Sequence, residues 1–348
     1  MLSGSTLSPY HIGARIGQGS FGEIYVVRNV NDNQLYALKV EPANTSRKIL
    51  EFEVMVLKKI NPSPFFPTFI ACGQTQKIKW YVMELLGPSL ATVVHRLPSH
   101  RLSLSTGLRV SSLVLRGIKA FHEKGFIHRD IKPSNILLRR SREFPIAIID
   151  FGLSKQYIDR KNGQIIPARA HPGFRGTAVY ASPNAHMHQD LGRRDDLISW
   201  YYMIIDLLSG SLPWRTLETR AEILHLKRKI PMSELGETIL PQIGEIWKII
   251  SILKYQDRPD YEKIDNLLSQ AMEQNEIHDD DEWEWHPQIL QMDGNDETFL
   301  NQQRKSTSSS SREVIEEMQY VKKKYNLSKQ PLLRNREEEV DNCCCLLL

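Results

Sequence analysis

The hydrophobic rhythm of the chain changes once. Over residues 11–83, short apolar runs ("HIGARIG", "GEIYVVRNV", "QLYALKV", "FPTFIACG", "KIKWYVMEL") are β-branched or aromatic and are bounded by Gly, Asn-Asp and Pro. Such runs predict strands. One segment interrupts them: "SRKILEFEVMVLKKI" sets Ile49, Phe52, Met55, Val56 and Lys59 at helical spacing. From 103 onward the pattern is helical, in "SLSTGLRVSSLVLRGIKAFHEKG", "RRDDLISWYYMIIDLLSG", "GETILPQIGEIWKIISIL" and "DYEKIDNLLSQAME". Strands followed by helices predict an α+β, two-lobed arrangement. Residues 276–300 read as irregular and acidic, and "QRKSTSSSSR" as a low-complexity linker. No internal repeat is visible.

Composition narrows the class. The 348 residues are 41% apolar and 25% charged, as in a globular protein with a real core. No apolar run reaches the roughly 18 residues of a membrane-spanning helix; "WYYMIIDLL" is short and carries Asp206. The start lacks the features of a secretory signal, and Leu2 excludes N-myristoylation. Only Cys72 lies in the body of the chain, so no internal disulfide framework is expected and a reducing, cytosolic compartment fits. The net charge of +4 conceals an uneven spread: residues 276–285 hold six acidic residues and no basic one, while the first 275 hold 36 basic against 25 acidic. A basic body suits nucleic acid or acidic and phosphorylated substrates. No aromatic-and-basic platform or zinc spacing accompanies it, so nucleic acid is not an expected partner.

The chemistry lies in four places. "IGQGSFGEI" (Ile16, Gly17, Gln18, Gly19, Ser20, Phe21, Gly22, Glu23, Ile24) has GxGxxG spacing, a weak signal alone. The next residues, "EIYVVRNV", predict a strand and not a helix, and no Gly-Lys-Ser/Thr is present. The loop is therefore expected to cap a hairpin, either over phosphates or with no ligand. "YALKV" puts Lys39 on the next strand, and Glu53 comes fourteen residues later on the predicted helix. A lysine that aligns phosphates needs a fixed ion partner, and Glu51 on another helix face is the rival candidate. "FIHRDIKPSN" sets Asp130 and Asn135 five apart in a loop, with Lys132 between them. The pattern suits a carboxylate that orients a hydroxyl, an amide oxygen that holds a metal, and an ammonium that neutralises a phosphoryl group. "PIAIIDFGLS" delivers Asp150 at a strand end, where a carboxylate can bind Mg²⁺. Each Asp alone reads as a turn cap; all the elements in this order do not.

With these motifs the chain resembles eukaryotic protein kinases over roughly 10–285, and within them the casein kinase 1 group, including its tau-tubulin kinase branch. "MELLGPSL", "GFRGTAVYASPNAH", "RRDDLISWYYM" and "GSLPWR" carry that resemblance; "FEVMVLKKI", "IKPSN" and "RPDYEKIDNLLSQAME" lean to the second branch, and the first of these favours Glu53. It implies an N-terminal extension (1–9), an N-lobe (10–83), a hinge (84–88), a C-lobe (89–285) and a flexible tail (286–348). It also implies ATP and Mg²⁺ as cofactors, transfer of the γ-phosphate to protein serine or threonine, and a monomer. Lys39, Glu53, Asp130, Lys132 and Asn135 would then be catalytic, and Asn135 and Asp150 would bind metal. Ala37, Met83 as gatekeeper, and the Glu84–Leu86 backbone would join residues 16–24 and Lys39 around the nucleotide. Ser182-Pro183-Asn184 stands where most kinases carry Ala-Pro-Glu, a departure shared by the group.

The group carries an arginine where this chain has Val179, so weaker dependence on pre-phosphorylated substrates is expected. Arg175, Arg193, Arg194 and Lys227–Lys229 either favour acidic substrates or are solvated charges. Between Phe151 and Arg175 only Ser154 and Tyr157 can accept phosphate, both early in the segment, so activity without an upstream enzyme is expected. Ser306–Ser311 reads as an autophosphorylation cluster or a plain linker. Cys343, Cys344 and Cys345 lack metal spacing; Cys345-Leu346-Leu347-Leu348 has the form of a geranylgeranylation signal, with Cys344 and Cys343 as palmitoylation candidates. The expectation is an enzyme anchored at a cytoplasmic membrane face, with a catalytically dead membrane scaffold as the competing reading.

Overall fold

The computed structural model describes residues 6–19, 22–46, 48–141 and 143–285. Ser20 and Phe21 of the glycine loop, the Ser306–Ser311 cluster and Cys343–Cys345 lie outside the described residues.

The N-terminal part is an antiparallel sheet of β1 (Thr6–Leu7), β2 (Tyr10–Gly19), β3 (Gly22–Asn29), β4 (Leu35–Pro42), β5 (Phe69–Gln74) and β6 (Ile78–Glu84), in the order β1-β2-β3-β4-β6-β5. Alternate strand residues point to one face. Tyr10 and Ile12, Tyr25 and Val27, Leu38 and Val40, and Val82 accordingly pack into one cluster. Helix α1 (Ile49–Ile60) buries Leu50, Glu53, Val56, Leu57 and Ile60. Of the set read from the sequence, Ile49, Phe52, Met55, Val56 and Lys59, only Val56 lies on that buried line, which instead gives one position to a carboxylate.

The C-terminal part comprises α2 (Leu90–Arg96), α3 (Leu104–Glu123), β7 (Phe126–Ile127), a 3-10 turn (Pro133–Asn135), β8 (Ile136–Leu138), β9 (Ile146–Ile148), β10 (Lys155–Gln156), α4 (Pro183–His186), α5 (Arg193–Ser209), α6 (Arg220–Lys229), α7 (Met232–Glu237), α8 (Pro241–Ser251) and α9 (Tyr261–Gln274). Ser89, Ser103, Thr219 and Asp260 cap the N-termini of α2, α3, α6 and α9 with their side chains. Helix α5 is buried on every side from Asp195 to Leu208. A helix apolar all round belongs in a core, and Asp206 in its last turn is paired with Arg215 and accepts from the Tyr180 hydroxyl at 2.6 Å. Among the described residues no helix is long and apolar enough to cross a membrane.

The acidic stretch after α9 is a strap across the start of α3. Buried Arg109 donates to the carbonyls of Asp281 (2.8 Å) and Glu282 (3.1 Å) and lies 3.8 Å from the Trp283 ring, which stacks on Trp285. Glu284 accepts from the Ser103 N–H at 2.6 Å, and Asp281 from the Ser105 hydroxyl at 2.8 Å. Carboxylates at a helix N-terminus also satisfy free N–H groups and the helix dipole.

The two parts are joined at Glu84. Arg139, just past β8, grips its carboxylate with two bonds (Nε–Oε1 2.7 Å, Nη2–Oε2 2.9 Å) and donates to the carbonyls of Phe66 (2.6 Å) and Pro64. The Glu84 N–H is taken by the Thr68 carbonyl at 2.9 Å. Beyond it, Gly87 N–H meets the Leu138 carbonyl and Leu138 N–H the Pro88 carbonyl, at 2.8 and 2.9 Å. Both ends of the connection are thus fastened to β8. Removing one partner of a mostly buried, bidentate pair leaves the other charge stranded. Arg139→Met should lower unfolding free energy by about 2–4 kcal/mol, read as a drop in the urea midpoint; Arg139→Lys, which cannot grip with two bonds, should recover only part of it.

Candidate active site

The glycine loop is a hairpin tip. Gly17 pairs with Ile24, Gln18 with Glu23 and Gly19 with Gly22 across β2 and β3. Gly22 has φ +131°, and a Cβ there would fall 2.2 Å from the Val40 carbonyl oxygen, so only glycine lets β3 lie against β4 at this point. Glu23 braces the tip from below, paired with Arg15 at 2.5 Å and accepting from the Tyr25 hydroxyl at 2.7 Å. The hydrogen bonds from Tyr25 and Arg15 hold its carboxyl below the usual range.

Beneath the tip, Lys39 lies opposite Ile24 and Tyr81 in the sheet, and Ala37 opposite Met83. The Lys39 ammonium reaches Glu53 of α1 at 2.6 Å, and both are buried. Tyr81 donates to the other Glu53 oxygen at 3.3 Å. Burial pushes Glu53 up and the Lys39 ammonium pulls it back. Glu51, the rival, points out to Lys79 at 2.9 Å. The turn after β9 brings Asp150 toward this pair, close enough to raise Glu53 electrostatically. A Cβ on Gly152 would stand 2.7 Å from Glu53 Oε1, so the glycine after Phe151 is what lets the two segments approach.

The loop from Phe126 to Asn135 supplies the rest. Asp130 is buried; its Oδ1 accepts from Thr177 Oγ1 at 2.8 Å and its Oδ2 pairs with Lys132 Nζ at 2.7 Å. Lys132 also donates to Thr177 Oγ1 at 2.7 Å. Asn135 spends its amide N–H on the Asp130 carbonyl at 2.9 Å, which leaves its Oδ1 as an acceptor. That oxygen and the Asp150 carboxylate make a hard, all-oxygen donor set, the kind a small divalent cation takes. The residues therefore fit a metal of that class.

Two residues here have left-handed backbones despite carrying side chains: Arg129 (φ +70°) and Asp150 (φ +69°). Each costs about 1–2 kcal/mol, so the surroundings must impose it. For Arg129 the agent is Asp196 of α5, whose two oxygens accept from the N–H groups of His128 and Arg129, each at 2.7 Å. The same carboxylate takes the His122 ring N–H at 2.8 Å, and the other His122 nitrogen meets the Tyr261 hydroxyl at 2.6 Å. Burial pushes His122 down, and the bond to Asp196 pulls it back. For Asp150 the agent is Phe151, stacked on Phe121 and edge-on to Phe66 and His128.

The segment leading to α4 is pinned from below. Trp214 donates to the Val179 carbonyl at 2.8 Å, and Ser182 and Asn184 both donate to Asp195 Oδ1, at 2.6 and 2.8 Å. Lys227 is buried, donates to the carbonyls of Ala178 (2.8 Å) and Ala181 (2.6 Å), and lies over the rings of Tyr202 and Trp214. It is neither a solvated charge nor a substrate contact, which corrects the grouping with Arg228 and Lys229. Arg193 and Arg194 also turn inward, to the carbonyls of Gln256 and Leu253 at 2.8 and 2.9 Å. Arg175, Arg228 and Lys229 remain exposed.

Sequence reasoning missed Asp196 and misassigned Lys227. For Asp196 the available sign was a charge embedded in an apolar helical pattern, since a buried charge must have a partner; Lys227, in the charged run of α6, gave none.

The chain is similar in sequence to known proteins. A model of the protein kinase domain matches residues 10–334. A probable serine/threonine-protein kinase of Dictyostelium discoideum is 38% identical over 276 residues, 79% of this chain and 56% of that protein. The serine/threonine-protein kinase spe-6 of Caenorhabditis elegans is 36% identical over 271 residues, 75% of this chain and 71% of that protein. The chain thus covers a little over half the length of the first relative.

His186 of α4 carries a pH prediction. Burial, then nearby Lys227, push its imidazole down to about 4. The unfolded chain binds that proton near the ordinary pKa of about 6.5, so this contribution is complete above pH 6.5 and is lost as pH falls toward 4. Urea stability should decline over that window by up to about 3 kcal/mol, and His186→Gln should flatten the decline.

Proposed function

The chain belongs to the protein kinase family, and we propose that it transfers the γ-phosphate of ATP to serine or threonine hydroxyls of protein substrates, in the manner of the casein kinase 1 group. One observation carries this reading: Asp130, Lys132 and Asn135 converge with Thr177, while the Lys39–Glu53 pair is closed beside Asp150. Lys39, held by Glu53, would align phosphates beneath the glycine loop, with Ala37, Met83 and the Glu84–Leu86 backbone around the base. Asp130 would accept the bond from the incoming hydroxyl, and Lys132 would steady the phosphoryl group in flight. Asn135 and Asp150 would hold Mg²⁺, which screens the phosphate charge. Thr177, bonded to both Asp130 and Lys132, fits a short aliphatic hydroxyl as the acceptor. Exposed Arg175, Arg228 and Lys229 would favour acidic substrates.

The test is Mg·ATP-dependent labelling of casein. Asp150→Asn should lower the rate by about 10²-fold or more without unfolding the protein; undiminished labelling would overturn the reading. A second outcome concerns Val179, which cannot make charge-assisted bonds to a phosphate. Phosphorylated and unphosphorylated forms of one acidic peptide should differ in kcat/KM by less than about tenfold.

A further inference from the structure

Residues 151–175 carry just two hydroxyl groups, and the structure buries both. Ser154 is 5% exposed, and Tyr157 is 4% exposed with its hydroxyl donating to the His122 carbonyl at 2.7 Å. Yet this region has the cation cluster that would receive a phosphate. Burial, then nearby Arg169 and Arg175, push Arg129 down to about 10, and burial, with Arg169 and Arg129, pushes Lys155 down in turn. A cluster of this kind needs an anion.

The anion is already present. Asp190, in the turn before α5, has a fully buried side chain and accepts four bonds. They come from Lys155 Nζ (2.5 Å), Arg169 N–H (2.9 Å), Arg169 Nε (3.2 Å) and Arg169 Nη2 (2.9 Å). Burial alone would raise its carboxyl; the hydrogen bonds from Arg169 and Lys155 outweigh that and hold it well below the usual carboxylate range. Lys155 stands at the start of the segment, five residues past Asp150, and Arg169 near its far end, so one carboxylate ties the two ends together. Tyr255 reinforces the tie, accepting from Lys155 at 3.1 Å and donating to the Ile166 carbonyl at 3.0 Å.

We propose that Asp190 is a built-in counter-ion that performs the task of a phosphate on this segment, fixing it in the substrate-accepting arrangement with no modifying enzyme. In general, phosphorylation orders such a segment by giving its arginines an acceptor. Here the acceptor is supplied by the fold, from outside the segment. Asp190 is a positioning residue, since it acts through Lys155 and Arg169. The inference rests on the kinase reading above.

The test compares wild type, Asp190→Asn, Asp190→Glu and Arg169→Gln in phosphate-free buffer, by peptide kinetics and by hydrogen exchange of residues 155–175. Asp190→Asn should lower kcat about 10- to 100-fold, with KM for ATP within about twofold of wild type, and should speed exchange in the segment. Millimolar sulfate should restore much of the loss by entering the vacated cation cluster, while leaving wild type unchanged; Asp190→Glu should retain most activity. A merely structural role would give no sulfate rescue. Wild-type kcat and exchange in Asp190→Asn, or a loss that sulfate does not touch in a variant melting like wild type, would overturn the inference. Should Asp190→Asn not fold, Arg169→Gln, whose side chain is half exposed, decides: unchanged kcat and exchange overturn it, while a lower kcat with faster exchange supports it. Wild type inactive with Mg·ATP would instead sink the kinase reading, and the exchange data would still report on Asp190.

Discussion

A buried carboxylate holds the catalytic loop in place. Asp196 sits in α5, which is buried on every side from Asp195 to Leu208 and where an unpaired charge would be prohibitive, and it is tolerated because it accepts two backbone N–H groups and an imidazole N–H. Those bonds impose the left-handed turn at Arg129, which sends Asp130 up to meet Lys132, Asn135 and Thr177. The neighbouring Asp195 receives Ser182 and Asn184. One helical turn of α5 therefore anchors both the loop carrying the candidate base and the segment that would face a substrate. The N-terminal sheet needs a different device. Its Lys39 meets Glu53 because α1 gives a core position to an acid, and Gly152 leaves room for the approach of Asp150.

Much of this is legible in the sequence. The strand-then-helix order, the hairpin at the glycine loop and the long helices at 104–123, 193–209 and 261–274 follow from periodicity and turn residues. The short helices α2, α6 and α7 leave no comparable mark, since such short elements show little periodicity. Glu53 can be preferred over Glu51 only by resemblance; the packing shows the distinction, one facing Lys39 and the other Lys79. Long-range polar pairs are the least legible. Arg139 with Glu84, Lys155 with Asp190 and Lys227 with the Ala178 carbonyl join residues 35 to 55 positions apart. No local pattern encodes such a pairing.

Charge in this protein is used inwardly as much as outwardly. The basic surplus of the first 275 residues suggests a surface for acidic partners, yet Arg109, Arg129, Arg139, Arg193, Arg194 and Lys227 spend donors on main-chain carbonyls. Guanidinium groups suit this work because several donors radiate from one plane. They fasten irregular backbone that has no ladder partners of its own, which is where an α+β protein is hardest to hold.

The strap after α9 bears on where this folding unit stops. The last helix ends at Gln274, and a fragment cut there would look complete by secondary structure. It would nonetheless strip Arg109 of the Asp281 and Glu282 carbonyls and of its aromatic cover, and remove the carboxylates of Glu284 and Asp281 that accept from Ser103 and Ser105 at the start of α3. The packed structure therefore runs on past the last helix at least to Trp285, so shortened versions should keep the acidic decapeptide that composition alone would dismiss as the start of a tail.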